Sequence, residues 1–381
     1  MHLDFPLIQT LDDVLPAIKG RDEFIVAERE DYKVVNYVVN KEDTFFSGDP
    51  EIDAIRRELR GLIFDNENNL ISRPYHKFFN VNEREETQLS VFAEKTSTQN
   101  HMFLEKLDGS MVRPLKIGDS TFMATKMGIT DTGLRASKFF WSQQKIMSFV
   151  DEIYKEFTPI FEWLSLEDRI VLDYGDPQLV LTAIRNNFSG EYISYDMMKI
   201  LADRFDLNIV GAKVVEDISD MQSVLNDISK ETDSEGYVVR FEDGHMVKIK
   251  NEWYVTLHRS KELATNDRLI VKCILEESVD DLKPLLMESD LVRVVKMETV
   301  VNNALLEIVS SIVEHISTLG EIDRKTYAQT FSDYQFKSMV FAHHFGGKGN
   351  LLDIVRQHFL KTTTINKKFD QEGRILLDKL A

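Results

Sequence analysis

In the stretch FLEKLDGSM, residues 103–111, a lysine closes a short apolar run and Asp108, Gly109 and Ser110 follow it closely. An amine pressed against apolar neighbours loses hydration, which favours its neutral, nucleophilic form. The glycine lets backbone approach a phosphate-bearing ligand. The same residues would also suit a surface lysine entering an ordinary Asp-Gly turn, so Lys106 needs partners elsewhere in the chain.

Three other clusters offer them. In SEGYVVRFEDGHMVKIKNEWY, residues 234–254, Asp243-Gly244 signals a two-residue hairpin turn. That turn pairs Val239 with Lys248 and Tyr237 with Lys250, and sets Glu235 diagonal to Lys250. Alternation then puts Glu235, Tyr237, Val239, Lys248 and Lys250 on one face, where a carboxylate and two lysines suit a polyphosphate with its divalent metal. A solvated polar face would read the same way. In residues 58–83, Arg60 precedes a strand, while Arg73 and Lys77 flank a proline and run into Phe78-Phe79. Basic groups among aromatics hold phosphates and stack on bases, although paired phenylalanines are more often core. Glu162 lies inside the apolar strand PIFEWLS and there needs a cation or a ligand hydroxyl, unless it faces solvent from an edge.

The elements that must position these groups fall into two kinds. From residue 20 to about 260, short segments rich in Val, Ile, Phe and Tyr, such as FIVAERE, YKVVNYVV, GLIFD, RIVLDY, LVLTAIR, YVVRF and MVKIK, predict an α+β domain dominated by antiparallel sheet. ASKFFWSQQKIMSFVDEIYKEF has helical spacing and predicts one or two covering helices. Beyond WYVTLHRS the spacing becomes helical throughout, which places a boundary at residue 262 and an all-α domain over 263–381. His343-His344 reads as a helix end with a glycine cap and not as a ligand pair.

Composition bounds the function. The 381 residues carry a net charge of −18, which argues against a nonspecific nucleic-acid coat but not against an enzyme with one local basic groove. A single cysteine excludes an internal disulfide or a cysteine-cluster metal site, and suits a reducing cytoplasm. No apolar run is long enough to span a bilayer, and the N-terminal segment lacks signal-peptide features, so no membrane partner is expected.

Lys106-x-Asp108-Gly109, then Glu162, Glu235-Gly236 and Lys248-x-Lys250 resemble the successive motifs of the covalent nucleotidyltransferases: ATP-dependent DNA and RNA ligases and mRNA capping enzymes. SRPYHKFFNVNE, RIVLDY, GEYISYD, EGYVV, KIKNEWYVTLH, DDLK and DRKTYA are more closely similar to the RNA ligase 1 family of tailed phages, from about residue 55 into the helical domain. One departure is FMATKMGIT, where Met127 separates Lys126 from the glycine that a lysine directly precedes in the family.

The resemblance implies an antiparallel-sheet, ATP-grasp-like ligase domain over residues 1–262. Within it Lys106 would attack the α-phosphate of ATP, with Lys248 and Lys250 on that phosphate. Arg60 and Lys77 would grip the β- and γ-phosphates, and Tyr254 would donate to a phosphate oxygen. Glu162, Glu235 and Asp108 would organise Mg2+, or Mn2+ in its place. Asp280 and Asp281 would hold a second ion, although adjacent carboxylates at a helix start also serve its dipole. Partners would be single-stranded RNA ends, above all nicked tRNA, met by a monomer in an infected cell's cytoplasm. A DNA ligase or capping enzyme shares the nucleophile motif but normally appends a basic β-barrel; an inactive RNA-end sensor would keep the fold without the chemistry.

Overall fold

The computed structural model describes residues 5–215, 219–286, 288–346, 349–365 and 374–377. The chain packs as two compact units, Met1–Val255 and Thr256–Ala381. The division falls within the Glu252–Thr265 helix, whereas the change in sequence pattern placed it at 262.

In the first unit, strands β1 (Phe24–Glu28), β2 (Lys33–Tyr37), β3 (Arg60–Phe64) and β4 (Leu70–Ser72) form an antiparallel sheet in that order. Then come β5 (Phe79–Asn80), β6 (His101–Glu105), β7 (Ser110–Ile117), β8 (Ser120–Ala124), β9 (Phe157–Leu164), β10 (Gln178–Asn186), β11 (Ala212–Lys213), β12 (Gly236–Phe241) and β13 (Met246–Lys250). The second sheet runs β10-β9-β7-β8 and the third β11-β6-β12-β13-β5, antiparallel except at the short parallel edge of β13 with β5. This is the expected α+β architecture.

Helices seal the sheets by their apolar faces. Asp131–Trp141, Gln144–Ile153 and Tyr195–Phe205 bury Phe140, Phe149 and Met198 against Phe161 and Leu181. The first of these starts where Thr130 accepts from Gly133 N, and the Pro50–Glu58 helix where Asp49 accepts from Glu51 N and Ile52 N ahead of a helix-compatible proline. Leu89–Thr98 and Met221–Ser229 cover the third sheet, around Phe92, Phe103, Val239 and Ile249. In the second unit the Glu288–Thr318 helix buries Val294, Val301, Leu305 and Ile312 among shorter helices, with Tyr327 and Val355 against it.

Two readings of local structure need correction. RIVLDY forms no strand: Val171 N and Leu172 N each donate to Asp108 Oδ2 at 2.7 Å, so a carboxylate takes the donors that a sheet would have used. The β12–β13 hairpin turns over three residues, Glu242–Gly244, with Phe241 N bonded to His245 O at 2.9 Å. Gly244, at φ +82°, supplies the left-handed residue such a turn needs, while Asp243 is drawn away to Lys95 at 2.6 Å. Val238 therefore pairs with Lys248 and Gly236 with Lys250. A shift of one residue inverts the face: Tyr237 and Val239 pack into the core, and the lysines share their side with Val238 and Arg240.

Candidate active site

Lys106 follows β6, and its N–H donates to Gly236 O at 2.9 Å. Gly236 has φ +127°, and a Cβ there would lie 2.1 Å from Ile249 O, so the position accepts only glycine. The kink delivers Glu235 without its being part of the strand. One carboxylate oxygen of Glu235 meets Lys106 Nζ at 2.6 Å and the other meets Lys250 Nζ at 2.8 Å. Gly109 is required for a different approach from the one expected: a Cβ would sit 2.4 Å from Trp163 O, so the missing side chain lets the nucleophile turn close on β9.

These elements wall a cavity of about 290 Å³, lined by Lys106, Glu162, Lys248, Lys250, Arg60 and Lys77 together with Tyr37, Tyr75, Phe78, Met111, Thr182 and Arg240. Six of the residues chosen from the sequence thus converge on one space. Lys77 lies 5.1 Å from the Phe79 ring centre and 5.4 Å from that of Tyr37, and Lys248 lies 5.2 Å from Phe78. Lys126 Nζ also stands over Tyr37, at 5.4 Å.

The charges strain against one another. Burial lowers the Lys248 ammonium to about 7, and Lys77, Arg60 and Lys106 push it the same way. Burial raises the Tyr37 phenol, yet Arg60, Lys77 and Lys126 outweigh it and the net shift is downward. Glu162 is raised to about 7, chiefly by burial, with Lys106 opposing and Glu235 adding to the rise. Cations crowd one region and call for an anion; two carboxylates beside it call for a cation.

Other expected groups stand elsewhere. Asp108 is buried outside the cavity wall, with Val171 N, Leu172 N and the Tyr254 hydroxyl, the last at 2.5 Å, on its oxygens. It anchors the turn after Lys106, and its committed oxygens do not suit a metal; Tyr254 likewise donates to Asp108 and not into the cavity. Arg73 is fully buried, bonded with Arg185 to Glu58 at 3.1 and 2.7 Å. Asp280 and Asp281 lie in the second unit, in the four-residue helix Val279–Leu282, and Asp280 pairs with Lys283 at 2.8 Å. Tyr37, Tyr75, Met111 and Thr182 gave no sequence signal, whereas Arg240 would have followed from the correct hairpin register.

Among the described residues no group of three or more His, Cys, Asp or Glu side chains forms a ready metal cage. Glu162, on the cavity wall, nevertheless fits a divalent ion, because magnesium keeps several waters and needs only one or two carboxylates beside substrate phosphates; Glu235, whose oxygens are taken by Lys106 and Lys250, would join it only as a lysine lets go.

Antiparallel sheets hold a lysine, its carboxylate and a bank of cations around one cavity, an arrangement suited to a polyphosphate. The family model described as RNA ligase matches residues 58–254, and the chain belongs to that family. A putative RNA ligase of Thermovibrio ammonificans is 28% identical over 286 residues, spanning 72% of this chain and 70% of that protein. RNA ligase 1 of bacteriophage TS2126 is 25% identical over 270 residues, 66% of this chain and 65% of that protein. A solved archaeal ATP-dependent RNA ligase aligns over 79% of both chains at 15% identity, with a TM-score of 0.48.

Proposed function

We propose that this protein is an ATP-dependent RNA ligase that joins 5′-phosphate and 3′-hydroxyl RNA ends. Lys106 Nζ attacks the α-phosphate of ATP, a P–N bond forms as the bond to the β-phosphate oxygen breaks, and pyrophosphate leaves. The AMP passes to an RNA 5′-phosphate, giving a 5′–5′ pyrophosphate and freeing Lys106. A 3′-hydroxyl then attacks the RNA phosphorus and expels AMP.

The observation that carries this reading is the Lys106–Glu235–Lys250 bridge on the wall of a cation-lined cavity. Lys248 and Lys250 would hold the α-phosphate and offset the charge that grows in the transition state. Arg60 and Lys77 are suited to the outer phosphates. Glu162, with Glu235 beside it, would hold a divalent ion, which would supply charge stabilisation to the phosphoryl oxygens when bound. Asp280 and Asp281 are the proposed seat of a second ion. The proposed physiological RNA is tRNA cut in its anticodon loop, in line with the phage-ligase resemblance, acted on by a cytoplasmic monomer.

The test is covalent labelling with ATP labelled at the α-phosphate. Wild-type protein should carry label after denaturation, and Lys106→Ala should carry none while keeping its circular-dichroism spectrum. Lys106→Arg should fail as well, since a guanidinium stays protonated. Label persisting in folded Lys106→Ala would move the nucleophile elsewhere.

A further inference from the structure

We propose that Arg113, on β7, is a positioning residue that fixes the backbone beside Arg60 and Lys126, so that Arg60 lines the cavity and Lys126 stands over the Tyr37 ring in its wall. The inference rests on the ATP-dependent reading above and concerns a residue outside the motifs.

Arg113 is wholly buried, and none of its hydrogen-bond partners is a carboxylate. Nε donates to Ser72 Oγ at 2.9 Å, Nη1 to Thr125 O at 2.8 Å, and Nη2 to Gly61 O. Gly61 directly follows Arg60, and Thr125 directly precedes Lys126. The two segments cross without a gap: Gly61 has φ +100°, and a Cβ there would lie 2.7 Å from Lys126 O. One planar fork thus ties together strand β3, the Thr125–Gly128 turn and β4, at the point where the chain delivers two cations.

Burying a cation without an anion is expensive. A packed hydrophobe of similar volume would serve stability as well or better. What a hydrophobe cannot supply is a rigid set of donors in fixed directions, which is the property of arginine that lysine lacks. Burial pulls the group down to about 9, with Arg60 adding to the fall, so it remains a cation at neutral pH. It therefore adds a fixed positive charge near Arg60 as well as holding its backbone.

The polyphosphate is present in the first step and absent from the last, which separates positioning from folding. Arg113→Lys keeps the charge and loses the fork; Arg113→Gln loses both. Each variant is to be measured for its apparent ATP KM in lysyl–AMP formation, and for sealing of RNA that already carries 5′-AMP. Arg113→Lys should raise the ATP KM by about fivefold or more while sealing stays within about twofold, with Arg113→Gln affected at least as strongly. An unchanged ATP KM in Arg113→Lys, or equal losses in both assays, would overturn the proposal. Should Arg113→Gln be insoluble, the lysine variant decides alone. A wild-type protein that takes no label from ATP would instead refute the functional reading.

Discussion

Lys248 shows how a single residue records the state of the whole site. With its ammonium lowered to about 7 by burial and three neighbouring cations, it is close to half neutral at pH 7. A bound polyphosphate restores its charge, so Lys248 should contribute about half a proton of uptake when ATP binds at pH 7 without a divalent ion, and affinity should fall as pH rises through 7. Calorimetry in two buffers of different ionisation heat measures this. Glu162, also near 7, changes in the same direction beside a bare polyphosphate, so Lys248→Met should remove only part of the uptake. Proton release in the wild type would contradict the account. Charge type alone was enough to pick from the sequence Lys106, Glu162, Lys248, Lys250, Arg60 and Lys77, which line the same cavity. It failed for Arg73 because the sequence does not show Glu58 and Arg185 waiting to bury it.

At the scale of elements, the hairpin and its kink decide whether those charges meet. Gly236→Ala introduces both a disfavoured φ and a clash with Ile249 O, so a loss of about 2 kcal/mol or more is expected from urea denaturation. Labelling at saturating ATP should fall further than stability does, because Glu235 loses its station between the lysines. A variant with full labelling would show that the kink is dispensable. Strand positions were legible from β-branched and aromatic runs, and the helices from their spacing. The hairpin register was not, because Asp-Gly fits both a two-residue turn and the end of a three-residue one. What separated them is tertiary: Lys95, from a helix far away in sequence, holds Asp243. RIVLDY failed similarly, since its strand-like composition is overruled by one carboxylate, Asp108, on two of its amides.

Over the whole molecule, acid should weaken the fold in two stages. Burial lowers His245 to about 4, with Lys95 adding to the fall, whereas an unfolded histidine binds its proton near 6.5; stability therefore drops as pH falls from 6.5 towards 4. Glu58 reaches about 2 because Arg185 and Arg73 outweigh the effect of burial, against 4.5 in the unfolded chain. Its contribution, on the order of 3 kcal/mol, is complete above about 4.5 and is lost towards pH 2. Urea midpoints at a series of pH values test both stages, and a flat profile from 6.5 to 3 would refute them. The second unit is expected to choose the RNA, through basic groups such as Arg324 and Lys325 on an otherwise acidic chain; the lysines at 367 and 368 lie outside the described residues. Replacing Arg324 and Lys325 by Glu should reduce the preference for a nicked tRNA stem-loop over an unstructured strand, with labelling by ATP unchanged. An unaltered preference would place the choice elsewhere. The buried knot also sets a timetable for synthesis. Glu58 and Arg73 leave the ribosome early, but Arg185 is 127 residues behind Glu58. At ~5–20 residues per second the carboxylate spends about 6–25 s without its second guanidinium. Until that arginine emerges, the segment bearing Tyr75 and Lys77 has no finished seat, so this wall of the cavity is completed only after more than a hundred further residues have been made.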